Sequence, residues 1–242
     1  RVEINPEKRN PTDFAMWKFS PPVSKRWQEW DSPWGIGFPG WHLECSAMSL
    51  KELGNTLDIH IGGEDLKMIH HQNEIAQSES ATGKKFVNYW IHGAFLTVDG
   101  GKMSKSLNNT YTVSDLESKG FDPMSLRYFY MTAHYRSPLN FTWEALKSAQ
   151  NSVKRLYDLA GSYKSDAKAK VSEKYIEKFT ERLNDDLNLS EAVAVMWEML
   201  KNSISEPQKI ATVLKMDEVL GLQIEDHLSI EIPRNIVDMA RT

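Results

Sequence analysis

The sequence predicts an α/β chain followed by an all-α helical bundle, and three observations carry that reading. Of 13 glycines, 11 lie at or before Gly120, and six of the ten prolines lie at or before Pro39. Turn-rich chain therefore gives way to helix-rich chain, and the boundary is placed between residues 141 and 142. Before it, short β-prone runs alternate with helical patterns, as in a sheet with crossover helices. After it, apolar residues recur at helical spacing.

Taken in order, residues 1–40 read as an irregular connector rich in Trp and Pro, with Trp17, Trp27, Trp30 and Trp34 as packing anchors. Residues 41–54 form a helix stopped by Gly54. Thr56 to Ile61 alternates and reads as a short buried strand. Gly62-Gly63 is a tight turn, and Asp65 to about Ser80 is a helix. Phe86–His92 and Ala94–Val98 are extended. Gly100-Gly101 is a hinge before Lys102-Met103-Ser104-Lys105-Ser106. Helices follow at 112–119 and 122–132. In the second half, Thr142 is an N-cap. Leu146, Ala149, Val153, Leu156, Tyr157 and Ala160 form an apolar stripe that Gly161 ends. Further helices cover 172–183, 190–202 (capped by Ser190) and 207–220.

Composition narrows the function classes. The net charge of −4 gives no global basic field, so nucleic-acid contact rests on local patches. No run of ~18 apolar residues is present to span a membrane. The single cysteine, Cys45, excludes an intrachain disulfide and fits a reducing, cytoplasmic setting. The chain opens on Arg1-Val2-Glu3-Ile4, which reads like the middle of a longer protein.

Three constellations carry chemistry. His70 and Glu74 are four apart on one helix face, and Cys45 lies on another helix; thiolate, imidazole and carboxylate together suit Zn²⁺. His71 points about 100° away on a 3.6-residue helix, as an outer or substrate-side group. The competing reading is a small core thiol and a surface ion pair, and these residues alone leave both open. Gly62-Gly63-Glu64-Asp65-Leu66 lets backbone approach a ligand at a helix N-terminus; the alternative is a plain turn capped by Asp65. Lys102 and Lys105, three apart after a double glycine, suit polyphosphate, because mobile ammonium groups meet charge that grows on a leaving pyrophosphate. The Walker spacing is absent.

The string 102–106 resembles the second signature of class I aminoacyl-tRNA synthetases. Residues 39–48 (Pro39 to Met48), 62–77 (Gly62 to Gln77), 89–93 (Tyr89 to Gly93), 126–141 (Leu126 to Phe141) and 183–188 (Leu183 to Asn188) resemble the cysteinyl branch, over nearly the whole chain. The resemblance implies the C-terminal half of a class I Rossmann-type catalytic domain carrying the lysine loop, followed by a helical bundle that contacts tRNA. It implies ATP-dependent activation of L-cysteine, with Mg²⁺, and transfer to tRNA(Cys) by a cytoplasmic monomer. Zn²⁺ is implied to bind the substrate thiol through Cys45, His70 and Glu74, with a fourth, cysteine ligand upstream of Arg1. Trp41, Asp65 and His60 are implied to meet the amino acid. Asp65, Gly62, Gly63, His92 and Lys105 are implied to meet ATP, and Lys102 and Lys105 to be catalytic.

The match departs from the family at several places. The first signature, His-Ile-Gly-His, is not in the sequence, so the chain is expected to be inactive alone. Asn108 stands where the family has glycine, Ile69 where it has proline and Gln72 where it has glutamate. None of these removes a ligand, and Asn tolerates positive φ. Little of an anticodon-binding region follows Asn202. Two other readings remain: a cysteine ligase that acylates an amino sugar in thiol biosynthesis, and a non-catalytic zinc- or RNA-binding fragment.

Overall fold

The computed structural model describes residues 8–20, 26–164, 166 and 168–228. The opening Arg1-Val2-Glu3-Ile4 and the last stretch from residue 229 lie outside them. The chain is mixed α/β and divides into two compact units, Arg1–Gly93 and Ala94–Thr242.

The first unit begins with two short antiparallel strands, β1 (Trp17–Phe19) and β2 (Gly37–Pro39). The residues expected to anchor this region mostly do not. Trp27, Trp30 and Trp34 are exposed, and only Trp17 is half-buried. Helix α1 (Trp41–Leu53) follows, then strand β3 (Leu57–Gly63), helix α2 (His70–Thr82) and strand β4 (Val87–Gly93). Strands β3 and β4 are parallel, with α2 as the crossover that parallel pairing requires. Leu57, Phe86 and Val87 form the buried apolar centre here.

Further expectations fail in this unit: β3 is not a buried strand, since Ile59 and Ile61 are exposed and only Leu57 is buried. Gly62 and Gly63 form no turn; they finish β3 and pair with His92 and Gly93. Residues 64–69 are turn, and α2 starts at His70 rather than Asp65. The reason lies in Gly62. A Cβ there would stand 2.6 Å from the His71 ring, so the glycine serves the close approach of α2 to the strand. Asp65 is consequently not a helix cap.

The second unit opens with a sheet ordered β6 (Gly101–Lys102), β5 (Leu96–Val98), β7 (Leu139–Phe141). The expected hinge at Gly100-Gly101 is a hairpin. Val98 pairs with Gly101, and the two loop residues, Asp99 and Gly100, both have positive φ (50° and 76°). Asp-Gly is a favoured pair for such a two-residue turn. Helices α3 (Val113–Ser118) and α4 (Pro123–Tyr130) lie between β6 and β7. Thr112 and Asp115 make a reciprocal capping box on α3, and Asp122 caps α4.

Helices α5 (Trp143–Ser162), α6 (Glu173–Asn184), α7 (Leu189–Lys201) and α8 (Glu206–Leu220) complete the unit. Thr142 caps α5, and the stripe Leu146, Ala149, Val153, Leu156 and Ala160 is buried as its spacing predicts. The helix runs past Gly161 by one residue. Asn188, not Ser190, caps α7, because its Oδ1 accepts from Glu191 N. The division between compact units does not coincide with the compositional break at 141. Val98, Leu116, Phe129 and Phe141 share one continuous core with Leu146, Leu156, Met196 and Val213, so β5, β7, α3 and α4 pack with the helices that follow.

The loop between α6 and α7 carries Asp186 and Leu187, both at positive φ. Arg136 holds Asp186 in a fork, through Nε at 2.5 Å and Nη2 at 3.0 Å, and Tyr135 donates its hydroxyl at 2.7 Å. These donors hold the Asp186 carboxyl at about 2, below its ordinary 3.8. A depressed folded-state pKa stabilises the fold above the ordinary value, and that contribution is lost as pH falls toward 2. Acid unfolding followed by circular dichroism is therefore expected to show a component in that window that Asp186→Asn lacks. Identical acid profiles would refute the latch.

Candidate metal and nucleotide-activating residues

The β3–β4 register builds the first site. Pairing of His60 with Trp90 and of Gly62 with His92 puts these four residues on one sheet face. Helix α2 lies over that face and contributes His70, His71 and Glu74. Helix α1 supplies Cys45. The ligand atoms of Cys45, His70 and Glu74 all lie within 4.8 Å of one another, and those of His60, His71 and Glu74 do the same.

Glu74 is the centre of the cluster and is fully buried. Its Oε1 lies 3.4 Å from His70 Nε2 and its Oε2 lies 3.1 Å from His60 Nε2. Neither oxygen receives a well-formed hydrogen bond. Burial pushes the Glu74 carboxyl up to about 7, against a smaller opposing effect of the Cys45 thiol. Burial also raises the Cys45 thiol, helped by the nearby Glu74 charge. Burial lowers His42, His60 and His70 and takes His71 down to about 4. The imidazoles are thus neutral, which is the ligating form.

These observations fit a divalent cation at Cys45, His70 and Glu74. A buried carboxylate whose oxygens lack well-formed hydrogen bonds is costly alone and satisfied by a metal. His70 Nδ1 lies 2.8 Å from His42 Nδ1. With His70 Nε2 on a metal, its Nδ1–H would donate to His42 and fix the ring, the usual outer support of a ligating histidine. His42 was not expected; its signal was its place three residues before Cys45 on α1, the same helix face. His71, expected to point away from the ligands, instead groups with His60 and Glu74, and its Nδ1 lies 2.8 Å from His92 Nε2.

The remaining expected residues are placed as follows. Trp41 is more than half exposed, and its ring centroid lies 4.2 Å from that of His70. Asp65 stands in the turn after β3, its carboxylate against Gly63. Lys102 and Lys105 belong to the second unit. Lys102 ends the hairpin, Lys105 opens a 3-10 turn over Lys105–Leu107, and both are exposed. Asn108 is left-handed at φ 51°, the conformation its glycine-like position requires.

The fold resembles that of class I synthetases. An Agrobacterium radiobacter LeuRS–tRNA–LeuAMS ternary complex superposes with a TM-score of 0.56 at 15% identity, over 83% of this chain and 33% of that one. A family model described as the tRNA synthetases class I (C) catalytic domain matches residues 1–151, and the chain belongs to that family. A protein named cysteine–tRNA ligase 1, from Burkholderia lata, is 46% identical over 232 residues, 95% of this chain and 49% of that protein. The cysteine–tRNA ligase of Acinetobacter baylyi is 42% identical over 256 residues, 99% of this chain and 53% of that one. The chain spans about half the length of the curated relatives it matches.

Proposed function

We propose that the chain is the amino-acid-selecting and lysine-loop part of a cysteine–tRNA ligase. In this reading L-cysteine is activated by ATP to cysteinyl-adenylate and transferred to the 3′ end of tRNA(Cys). The observation that carries it is the convergence of Cys45, His70 and Glu74 within 4.8 Å around a buried, unsatisfied carboxylate. Family membership gives the reaction class.

Cysteine and serine are nearly isosteric, and an apolar pocket separates isosteres poorly. Zn²⁺ at this site would supply a Lewis acid that prefers a thiolate to an alcohol. Cys45, His70 and Glu74 would hold it, and His42 would fix the His70 ring. Trp41, over His70, would cover the bound amino acid; Asp65 and His60 would meet its polar groups. His92, Gly62, Gly63 and Asp65 are assigned to ATP, bound with Mg²⁺, on resemblance alone, since no helix N-terminus begins at Asp65. Lys102 and Lys105 would neutralise the leaving pyrophosphate. The helical part from residue 142 would contact tRNA. No helix among the described residues is long and apolar enough to cross a membrane. By resemblance to the family, the protein would act as a monomer in the cytoplasm.

The test uses the protein as the cell makes it. Cysteine-dependent ATP–pyrophosphate exchange is expected, with zinc bound and serine inert, followed by charging of tRNA(Cys). Acylation of an amino sugar in place of tRNA would move the protein to thiol biosynthesis. Absence of exchange from the zinc-loaded protein would leave a non-catalytic binding role.

A further inference from the structure

The lysine loop is held by a residue outside the lysine string. Lys102 ends strand β6, which pairs only with β5 among the described residues, and no further strand takes its carbonyl or the Ser104 N–H. Asn109 takes the place of a strand partner. Its Nδ2 donates to Lys102 O at 2.9 Å, and its Oδ1 accepts from Ser104 N at 2.8 Å. Donor and acceptor of one carboxamide thus close a ring on a two-residue stretch of backbone, the pattern a neighbouring strand would make.

The chain on either side is built to deliver that carboxamide. Asn108 turns left-handed and its N–H bonds to Lys105 O, which reverses the chain after the 3-10 turn and brings Asn109 back beside Lys102. Met103, between the two clamped groups, packs on the core of the second unit and lines a cavity of about 120 Å³ with Leu96, Tyr111 and Phe141. At the other end, Asn140 Oδ1 accepts from Gly100 N at 2.7 Å and fixes the hairpin turn. Lys105 itself is exposed and contributes nothing to this scaffold through its side chain.

We infer that Asn109 is a positioning residue of the lysine loop: it fixes Lys102 and Ser104, and so sets where the Lys105 ammonium stands. That role in catalysis rests on the activation reaction proposed above; the clamp does not. Asn109→Ala removes both hydrogen bonds, and Asn109→Asp keeps the acceptor for Ser104 N while losing the donor to Lys102 O.

Trypsin cuts after lysine, so the loop carries its own reporters. In the complete protein, Asn109→Ala is expected to speed cleavage after Lys102 and Lys105 by about tenfold, with Asn109→Asp between it and wild type. The thermal midpoint should stay unchanged. Equal cleavage rates in all three chains would overturn the clamp. If Asn109→Ala fails to fold, hydrogen exchange on the unaltered chain decides: a Ser104 amide exchanging as fast as the exposed Ser106 amide would overturn it too. In the complete protein, Asn109→Ala should lower kcat for pyrophosphate exchange about tenfold and leave KM for cysteine unchanged. An unchanged kcat with faster cleavage would remove the catalytic role. Wild-type protein without exchange would sink the proposed reaction, and the proteolysis arm would still judge the clamp.

Discussion

Glu74→Gln is expected to stabilise the metal-free protein at neutral pH while destroying its affinity for zinc. The carboxyl is fully buried and pushed from 4.5 up to about 7. A raised carboxyl pKa means that the folded state keeps a proton the unfolded chain releases. Stability therefore falls as pH rises from 4.5 to 7 and stays low above that. At ~1.4 kcal/mol per pKa unit, the shift corresponds to about 3 kcal/mol. The histidines act in the opposite direction. Burial lowers His42, His60, His70 and His71, so the fold resists their protonation and gains stability as pH rises toward 6.5. The difference between wild type and variant cancels that shared component. Denaturant melts of the chelated proteins should show the variant gaining on wild type between pH 4.5 and 7. The gain stays below 3 kcal/mol because the amide also lacks partners, a loss of about 1 to 3 kcal/mol. Zinc should raise the melting temperature of wild type and leave the variant unmoved. Equal zinc content in the two proteins would refute the ligand assignment.

Residues with a local reason to be where they are were legible before the structure. Thr142 and the stripe below it declare α5, because capping and a 3.6-residue period are properties of neighbouring residues. That Cys45, His70 and Glu74 come together was expected for a different reason: resemblance to a family, since separation along the chain says nothing about whether α1 meets α2. What was misread depends on long-range packing. Gly62 looked like a turn glycine, yet it finishes a strand because His71 needs the space above it. The Trp-rich start looked like an anchor, yet Trp27, Trp30 and Trp34 are exposed. Asp99-Gly100 is the exception. Its hairpin is a local signal, obscured in the sequence by neighbouring lysines that suggest a mobile loop. The small sheet it belongs to also needs β7, which is 40 residues away and has only three residues to show for itself.

Lys105→Ala should lower pyrophosphate exchange by about 10²- to 10³-fold in the complete protein, the range found when one preorganised transition-state donor is removed. The size follows from where the charge appears. In the proposed reaction, in-line attack of the cysteine carboxylate on the α-phosphate would leave the two terminal phosphates with more negative charge than they carried in bound ATP, and a cation that meets only that added charge lowers the barrier without tightening the ground state. Lys105 suits this task. It lies in a 3-10 turn beyond the hairpin, it is exposed, and among the described residues no carboxylate pairs with its ammonium or that of Lys102. An unpaired ammonium has no partner to leave when phosphate arrives. Lys105→Arg keeps the charge and should recover part of the rate, though a planar fork does not replace a point charge fully. Zinc content and thermal midpoint should match wild type in both variants, because Lys105 is exposed and belongs to the second unit, whereas Cys45, His70 and Glu74 belong to the first. A loss confined to KM for ATP, with kcat intact, would show instead that Lys105 grips ATP equally before and during the reaction. The lysine loop would then be a binding element, and the transition-state role would have to pass to Lys102.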